Sequence, residues 1–137
     1  MFDLNDAVAN NVVITTHSDE AIEKIDELLG NDFNFDKIIK TPTNIEKRYT
    51  WRKENWGTAH LAAYVRRYRF NRSLRYYFET EFQPPTLVLI ALSKMFPSAE
   101  IKLDYHGTSW PLLGNCTIKA GKVLDHDETC QEDMYNY

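Results

Sequence analysis

The chain has 137 residues, 43% of them hydrophobic and 13% aromatic, a length and composition that fit one domain with a substantial core but not two domains. Its formal net charge of −4 excludes a uniformly basic nucleic-acid binder, and no apolar run is long enough for a membrane-spanning helix. Because no secretory signal is recognisable and two cysteines cannot build a disulfide framework, we expect a cytoplasmic protein with reduced thiols.

A strand followed by a helix is predicted for the N-terminal segment. Residues 9–16 contain the β-branched run VVITT, which is typical of a strand. Ser18 is a suitable N-cap, and apolar residues recur at helical spacing from Ile22 onward. They continue as far as Gly30, a common residue at the C-terminus of a helix. We therefore expect a helix over residues 18–30.

Residues 31–58 are predicted to form an inserted loop. Alternating aromatic and polar residues over 33–39 indicate a short strand or an extended arm. The loop also carries Tyr49, Trp51 and Trp56, and because loops of this length rarely stay bare in a compact domain, we expect it to fold onto the body. Trp56 is interpreted as a plug that closes the open face of the sheet. For Trp51, the roles of plug and of interface anchor are equally compatible with the sequence.

Two runs that alternate with a period of two predict a β-hairpin over residues 60–70 and 74–82. Such a pattern implies one buried face and one face in contact with water. In the first strand, the residues expected to face the core are Tyr64, Tyr68 and Phe70. Those expected to face the solvent are Arg67 and Arg69. In the second strand, the residues expected to face the core are Leu74, Tyr76, Phe78 and Phe82.

The C-terminal half predicts a helix, a strand and a further hairpin. A pair of prolines opens an apolar helix that ends at Pro97, and residues 101–105 alternate as in a strand. Residues 115–119 and 122–125 flank an Ala-Gly turn and predict the hairpin. From residue 125 onward the chain carries acids but no lysine or arginine, which is typical of a loose acidic tail.

The order of these elements is strand, helix, strand, strand, helix, strand, which predicts an α+β fold of the ferredoxin-like βαββαβ type. We expect an antiparallel sheet with two helices on one face, plus the inserted loop (31–58) and the C-terminal hairpin. The second face would be open, or covered by the insert and the hairpin. The domain is expected to span residues 1–124, and the acidic tail residues 125–137.

Several short segments carry a resemblance to a known family. They are 33–39 (FNFDKII), 54–58 (ENWGT), 77–85 (YFETEFQPP), 90–97 (IALSKMFP) and 103–107 (LDYHG), with Gly114 and Gly121. Together they resemble the YubB-type ferredoxin-like family of small phage and plasmid proteins. That family has no established activity. The resemblance therefore implies a ferredoxin-like fold and a mobile-element setting in the cytoplasm of a bacterial host cell, but no reaction.

The sequence gives little support for a metal site, a cofactor or a nucleophilic enzyme. His126 and Cys130 are spaced so that two ligands would share one helical face, but the paired cysteines of a structural zinc site are missing. Cys116 lies in the middle of a predicted strand, where a thiol is buried and inert, and none of the four histidines is marked as a base. We therefore predict no metal, no cofactor and no catalytic residue.

Charge is unevenly distributed along the chain. All seven arginines lie between Lys47 and Arg75, a segment with nine basic residues and one acid, so it carries +8 and the remainder carries −12. The residues predicted to bind a partner are Arg48, Tyr49, Trp51, Arg52, Arg66, Arg67, Arg69, Arg72, Arg75 and Tyr77. The predicted acidic face consists of Glu20, Glu23, Asp26 and Glu27.

Two functions are compatible with this division of charge. The first is a non-enzymatic binding protein of a phage or mobile element that acts on a host protein, with an anti-defence role such as CRISPR inhibition offered by analogy. Its acidic face would mimic DNA, or its arginines would meet an acidic partner. The alternative is a single-stranded nucleic-acid binder in which Arg67, Arg69, Arg75 and Tyr77 share the outer face of the sheet.

Overall fold

The alternating and β-branched segments of the chain assemble into one antiparallel sheet with the strand order β2-β3-β1-β4-β5-β6. The computed structural model describes residues 6–129. The strands are β1 (Ala7–Thr15), β2 (Ala63–Phe70), β3 (Ser73–Glu81), β4 (Glu100–Gly107), β5 (Leu113–Lys119) and β6 (Lys122–Thr129). The helices are α1 (Asp19–Leu29), α2 (Arg48–Trp56) and α3 (Thr86–Met95). Within the described residues, no helix is long and apolar enough to cross a membrane.

The core lies between the sheet and the helices. On the central strand β1, Val12 pairs with Tyr76 of β3 and with Leu103 of β4, and all three side chains are buried. Ser18 caps α1 by accepting a hydrogen bond from the backbone of Ala21, and the apolar stripe of α1 is buried against this face. The strand, the helix and the α+β ferredoxin-like fold predicted from the sequence are thus confirmed.

The prediction for the insert was wrong in its secondary structure. A single 3-10 turn covers Phe35–Lys37 where a short strand or an extended arm was expected, and α2 replaces much of the predicted loop. Gly57 ends α2 in the left-handed conformation, with φ at 90°. Because α2 is polar and buries Trp56 alone among its residues, it lacks the repeated apolar stripe by which helices are recognised.

The C-terminal hairpin extends the sheet at the β4 edge. Strand β6 pairs with β5 along its whole length and ends at Thr129, so residues 125–129 are strand residues rather than the start of a loose tail. Their side chains are exposed, as expected for the edge of a sheet, and this exposure explains their acidic composition. Cys130 and the rest of the predicted tail lie outside the described residues.

Candidate functional site

The insert packs on the helix side of the sheet and leaves the opposite side open along β2 and β3. Trp56 is fully buried, and its Nε1 donates to the Ile39 carbonyl at 2.8 Å. The centre of its ring lies 5.5 Å from that of Phe35, and the Phe35 ring centre lies 5.9 Å from that of the buried Phe78 of β3. Trp51 is half-buried and lies edge-on to Trp56 at 6.3 Å. Trp56 is therefore a plug of the helix-side core, not a cover for the open face.

Strand β2 presents its two faces the opposite way from the sequence prediction. Arg67 and Arg69 point to the helix side, where Arg67 Nε donates to Asp26 Oδ1 at 3.0 Å and Arg69 Nη1 donates to Asp26 Oδ2 at 2.9 Å. Arg69 Nη2 also donates to Glu23 at 2.5 Å. The β2 aromatic residues expected in the core are instead exposed: Tyr64, Tyr68 and Phe70. Phe82, which was also expected in the core, is exposed as well, whereas Tyr76 and Phe78 are buried as predicted.

The register of β2 against β3 explains this inversion. Arg67 pairs with the buried Tyr76, so it lies on the helix side, whereas Tyr68 pairs with the exposed Arg75. A β-bulge between Ala63 and Arg66 shifts the register at the start of the strand. Alternation shows that Arg67 and Arg69 lie on the face opposite Tyr68 and Phe70, but it does not show which set faces the core.

As a result, a cluster of aromatic and basic side chains lies on the open face of the sheet, the face opposite the helices. We call it the aromatic patch and define it by its members: Arg66, Tyr68, Phe70, Arg75 and Tyr77. The Arg66 guanidinium lies 5.3 Å from the centre of the Tyr77 ring, and Tyr68 meets the same ring edge-on at 6.0 Å. Arg75 Nη1 lies 3.4 Å from the Tyr77 hydroxyl. Phe70 is 78% exposed, an unusual position for a phenylalanine.

A row of polar residues continues from the aromatic patch across the sheet, with one residue from each strand in register. We call it the cross-strand row, and its members are Arg66, Tyr77, Asn11, Asp104, Asn115 and Asp127. The row begins with a cation at the β2 edge and ends with an anion at the β6 edge. A cavity of about 360 Å³ lies over its centre, lined among others by Asn11, Tyr77 and Asp104. This volume is within the range of small-molecule sites.

The predicted acidic face is largely neutralised within the molecule. Glu23 and Asp26 bind the β2 arginines described above, and Glu20 pairs with Lys24 at 2.9 Å. The hydrogen bond from Arg69, followed by the attraction of its charge, lowers the pKa of Glu23. Glu27 is exposed. Two of the four acids, Glu23 and Asp26, therefore belong to the contact between α1 and β2.

The remaining predicted binding residues do not join the aromatic patch. Arg72 Nη1 donates to the His17 carbonyl at 2.8 Å, and Tyr49 OH donates to Glu81 at 2.7 Å, which raises the pKa of Tyr49. Arg52 stacks 4.6 Å from the centre of the Trp56 ring. Arg48 is exposed on α2, which packs on the helix side. Of the ten residues predicted to bind a partner, the structure brings together three: Arg66, Arg75 and Tyr77.

Two titratable side chains outside the open face, Cys116 and Tyr105, are buried in the core. Cys116 is a buried free thiol, as predicted, and burial raises its pKa to about 11. Burial, followed by a hydrogen bond to Glu128, raises the pKa of Tyr105. Within residues 6–129, no group of three or more histidine, cysteine or acidic side chains is placed to hold a metal ion.

Comparison with known proteins places the fold in a family. Residues 61–136 match the family model described as the ferredoxin-like domain in Api92-like protein. The chain belongs to this family. The match covers the part from β2 onward and therefore includes the β2 and β3 members of the aromatic patch. The phage or plasmid origin and the YubB-type relationship expected from the sequence stay predictions.

A solved structure supports the same fold for this ferredoxin-like domain. Api92 from Yersinia pseudotuberculosis aligns with a TM-score of 0.59 and 19% sequence identity, over 72% of this chain. The alignment spans 40% of the Api92 chain, so the present sequence corresponds to less than half of that protein. At this identity the likeness concerns the fold alone. A search of curated proteins gave no significant match.

Proposed function

We propose that this domain is a non-enzymatic module that binds single-stranded nucleic acid on the open face of its sheet. The observation that carries the proposal is the aromatic patch, in which Arg66 lies over the Tyr77 ring while Tyr68 and Phe70 are exposed beside it. Unstacked bases bind to exposed aromatic rings, and each base–ring stack contributes about 1–3 kcal/mol.

The charges of the patch suit the same ligand. Arg66 and Arg75 are exposed on neighbouring strands and flank Tyr77, so phosphates of a strand stacked on the ring would lie within reach of both guanidinium groups. The Arg67 and Arg69 side chains, which the sequence assigned to this face, bind Asp26 instead. Two available arginines predict modest affinity that depends on stacking more than on charge.

Binding to a host protein, including the anti-defence role, stays a prediction. The DNA-mimic version of that hypothesis needs a free acidic face, and the pairing of Glu20, Glu23 and Asp26 weakens it. The bacterial cytoplasm as the location is likewise a prediction. The version of the host-protein hypothesis that uses basic residues concerns the same open face, where Tyr68 and Phe70 are exposed.

The test is binding of a fluorescein-labelled mixed-sequence oligonucleotide of twelve nucleotides, measured by fluorescence anisotropy at low salt. Tyr77→Ala is expected to weaken binding by about tenfold, because one stack is lost. Arg48→Gln is the matched control for Arg66→Gln, since it removes an arginine from the helix side. With two phosphate contacts, the slope of log Kobs against log salt is expected to be about −1.4. Undetectable binding by the unmodified protein at low salt would refute the proposal.

A further inference from the structure

The centre of the open face contains a buried hydrogen-bond acceptor without a partner. Among the described residues, Asn11 Oδ1 is buried and makes no hydrogen bond. Asn11 pairs with Tyr77 on one side and with Asp104 on the other, so its side chain lies between an aromatic ring and a carboxylate. An unsatisfied buried acceptor is costly, and such groups commonly mark a site where a ligand or water completes the bonding.

The cavity over this point has the volume and lining residues that one planar ring would need. It measures about 360 Å³ and is lined by Asn11, Tyr77, Asp104 and Asn115. Tyr77 offers a stacking surface at one side, and the Asp104 carboxylate, which is exposed, offers two acceptor oxygens at the other. Rotation about χ2 of Asn11, a soft torsion, turns its oxygen toward a ring that enters.

We propose that this cavity selects guanine in a single strand, an inference that rests on the proposed function. Three hydrogen-bond acceptors are available here: two oxygens of Asp104 and one of Asn11. Guanine alone among the four bases has two adjacent donors on its Watson–Crick edge, N1–H and N2–H. A carboxylate therefore takes both donors in a bidentate pair, and the second N2–H is directed to Asn11 Oδ1 while the ring stacks on Tyr77.

The other bases leave part of this site unsatisfied. Adenine and cytosine each present one amino group beside a ring nitrogen that accepts, and this nitrogen would face an oxygen of Asp104. Uracil and thymine present one donor between two carbonyl groups, which the carboxylate repels. A well-formed bidentate contact discriminates between bases by about tenfold or more. The carboxylate also repels phosphates, so Asp104 lowers affinity for strands without guanine.

The experiment compares four labelled heptamers that differ in the central base of a uracil tract, with the same set in deoxy form in a thymine tract. Anisotropy is measured with the full chain, with Asp104→Asn and with Asp125→Asn. The last variant is the matched control, because Asp125 is an exposed acid on the same face in the neighbouring row, paired with Thr117. We expect the guanine heptamer to bind about tenfold more tightly than the other three.

Asp104→Asn is expected to abolish the preference by weakening binding of the guanine heptamer and not of the uracil heptamer, whereas Asp125→Asn keeps it. A preference in the ribose series alone also supports the site and identifies the ligand as RNA. A difference below threefold among heptamers that all need Tyr77 would overturn guanine selection and leave the proposed function standing. Absence of binding by every heptamer would overturn both the guanine site and the proposed function.

Discussion

Replacing Asp26 by asparagine tests whether β2 turns its arginines toward α1. Asp26 accepts a hydrogen bond from Arg67 Nε at 3.0 Å, and the two side chains are 17% and 26% exposed. Exposed pairs contribute about 0–1 kcal/mol, and the loss of one partner from a fully buried pair costs about 3–5 kcal/mol. Because this pair lies between those limits, we expect the free energy of unfolding to fall by about 2 kcal/mol, which lowers Tm by about 7 °C.

The assay is urea and thermal unfolding followed by far-UV circular dichroism, with Glu27→Gln as the matched control. Glu27 is an exposed acid on the same helix, and its replacement is expected to change stability by less than about 0.5 kcal/mol. A double-mutant cycle of Asp26→Asn with Arg67→Gln should give a coupling energy of at least about 1 kcal/mol. Equal stability of the Asp26 and Glu27 variants, together with zero coupling, would show that Arg67 does not face α1.

Three further predictions concern the fold and its response to acid. Gly114→Ala should cost about 2–3 kcal/mol in a urea titration, because a Cβ there would overlap the Tyr105 ring, lying 2.6 Å from its Cε2. Gly57→Ala should cost about 1–2 kcal/mol by the same measurement, since an L side chain is strained at a φ of 90°. Because Arg69 lowers the pKa of Glu23, the stability from this carboxylate is complete above its ordinary pKa of 4.5 and is lost as the pH falls through its folded-state value. Urea midpoints of the unmodified protein and Glu23→Gln should therefore differ at pH 7 and converge in acid.

Most of the fold could be predicted because its signals are local. The β-branched run of β1, the cap and stripe of α1 and the alternation of β4 are each contained in fewer than fifteen residues and agree with one another. Helix α2 gave no comparable signal. It begins without a side-chain cap, and its Trp56 contacts Phe35 and donates a hydrogen bond to the Ile39 carbonyl, contacts that no periodicity reveals. Gly57, which ends the helix in the left-handed conformation, is a residue type common at that position, but without a periodic stripe before it no helix was predicted.

The candidate site was harder to predict, since it depends on which face of β2 is outside. Arg67 and Arg69 alternate with Tyr68 and Phe70 in this strand, and elementary hydrophobicity puts the aromatics inside. The structure reverses that choice because β2 is an edge strand beside an acidic helix. Asp26 of α1 satisfies the guanidinium groups of Arg67 and Arg69, while the aromatic rings find no helix opposite them on the open face within the described residues.

The strong division of charge in the sequence therefore serves chiefly to join α1 to β2 within the fold. Acids of α1 and arginines of the β2 region are far apart in the chain but form ion pairs between the helix and the sheet. Much of the positive charge of the +8 segment is therefore already neutralised within the molecule. If all seven arginines contacted phosphates, the salt slope would be about −5, whereas the two left on the open face give about −1.4. A ligand of this face must then be held by its rings and by the cross-strand row. This explains why Tyr77 and Asp104, rather than the arginine-rich segment as a whole, are the residues on which recognition is expected to depend.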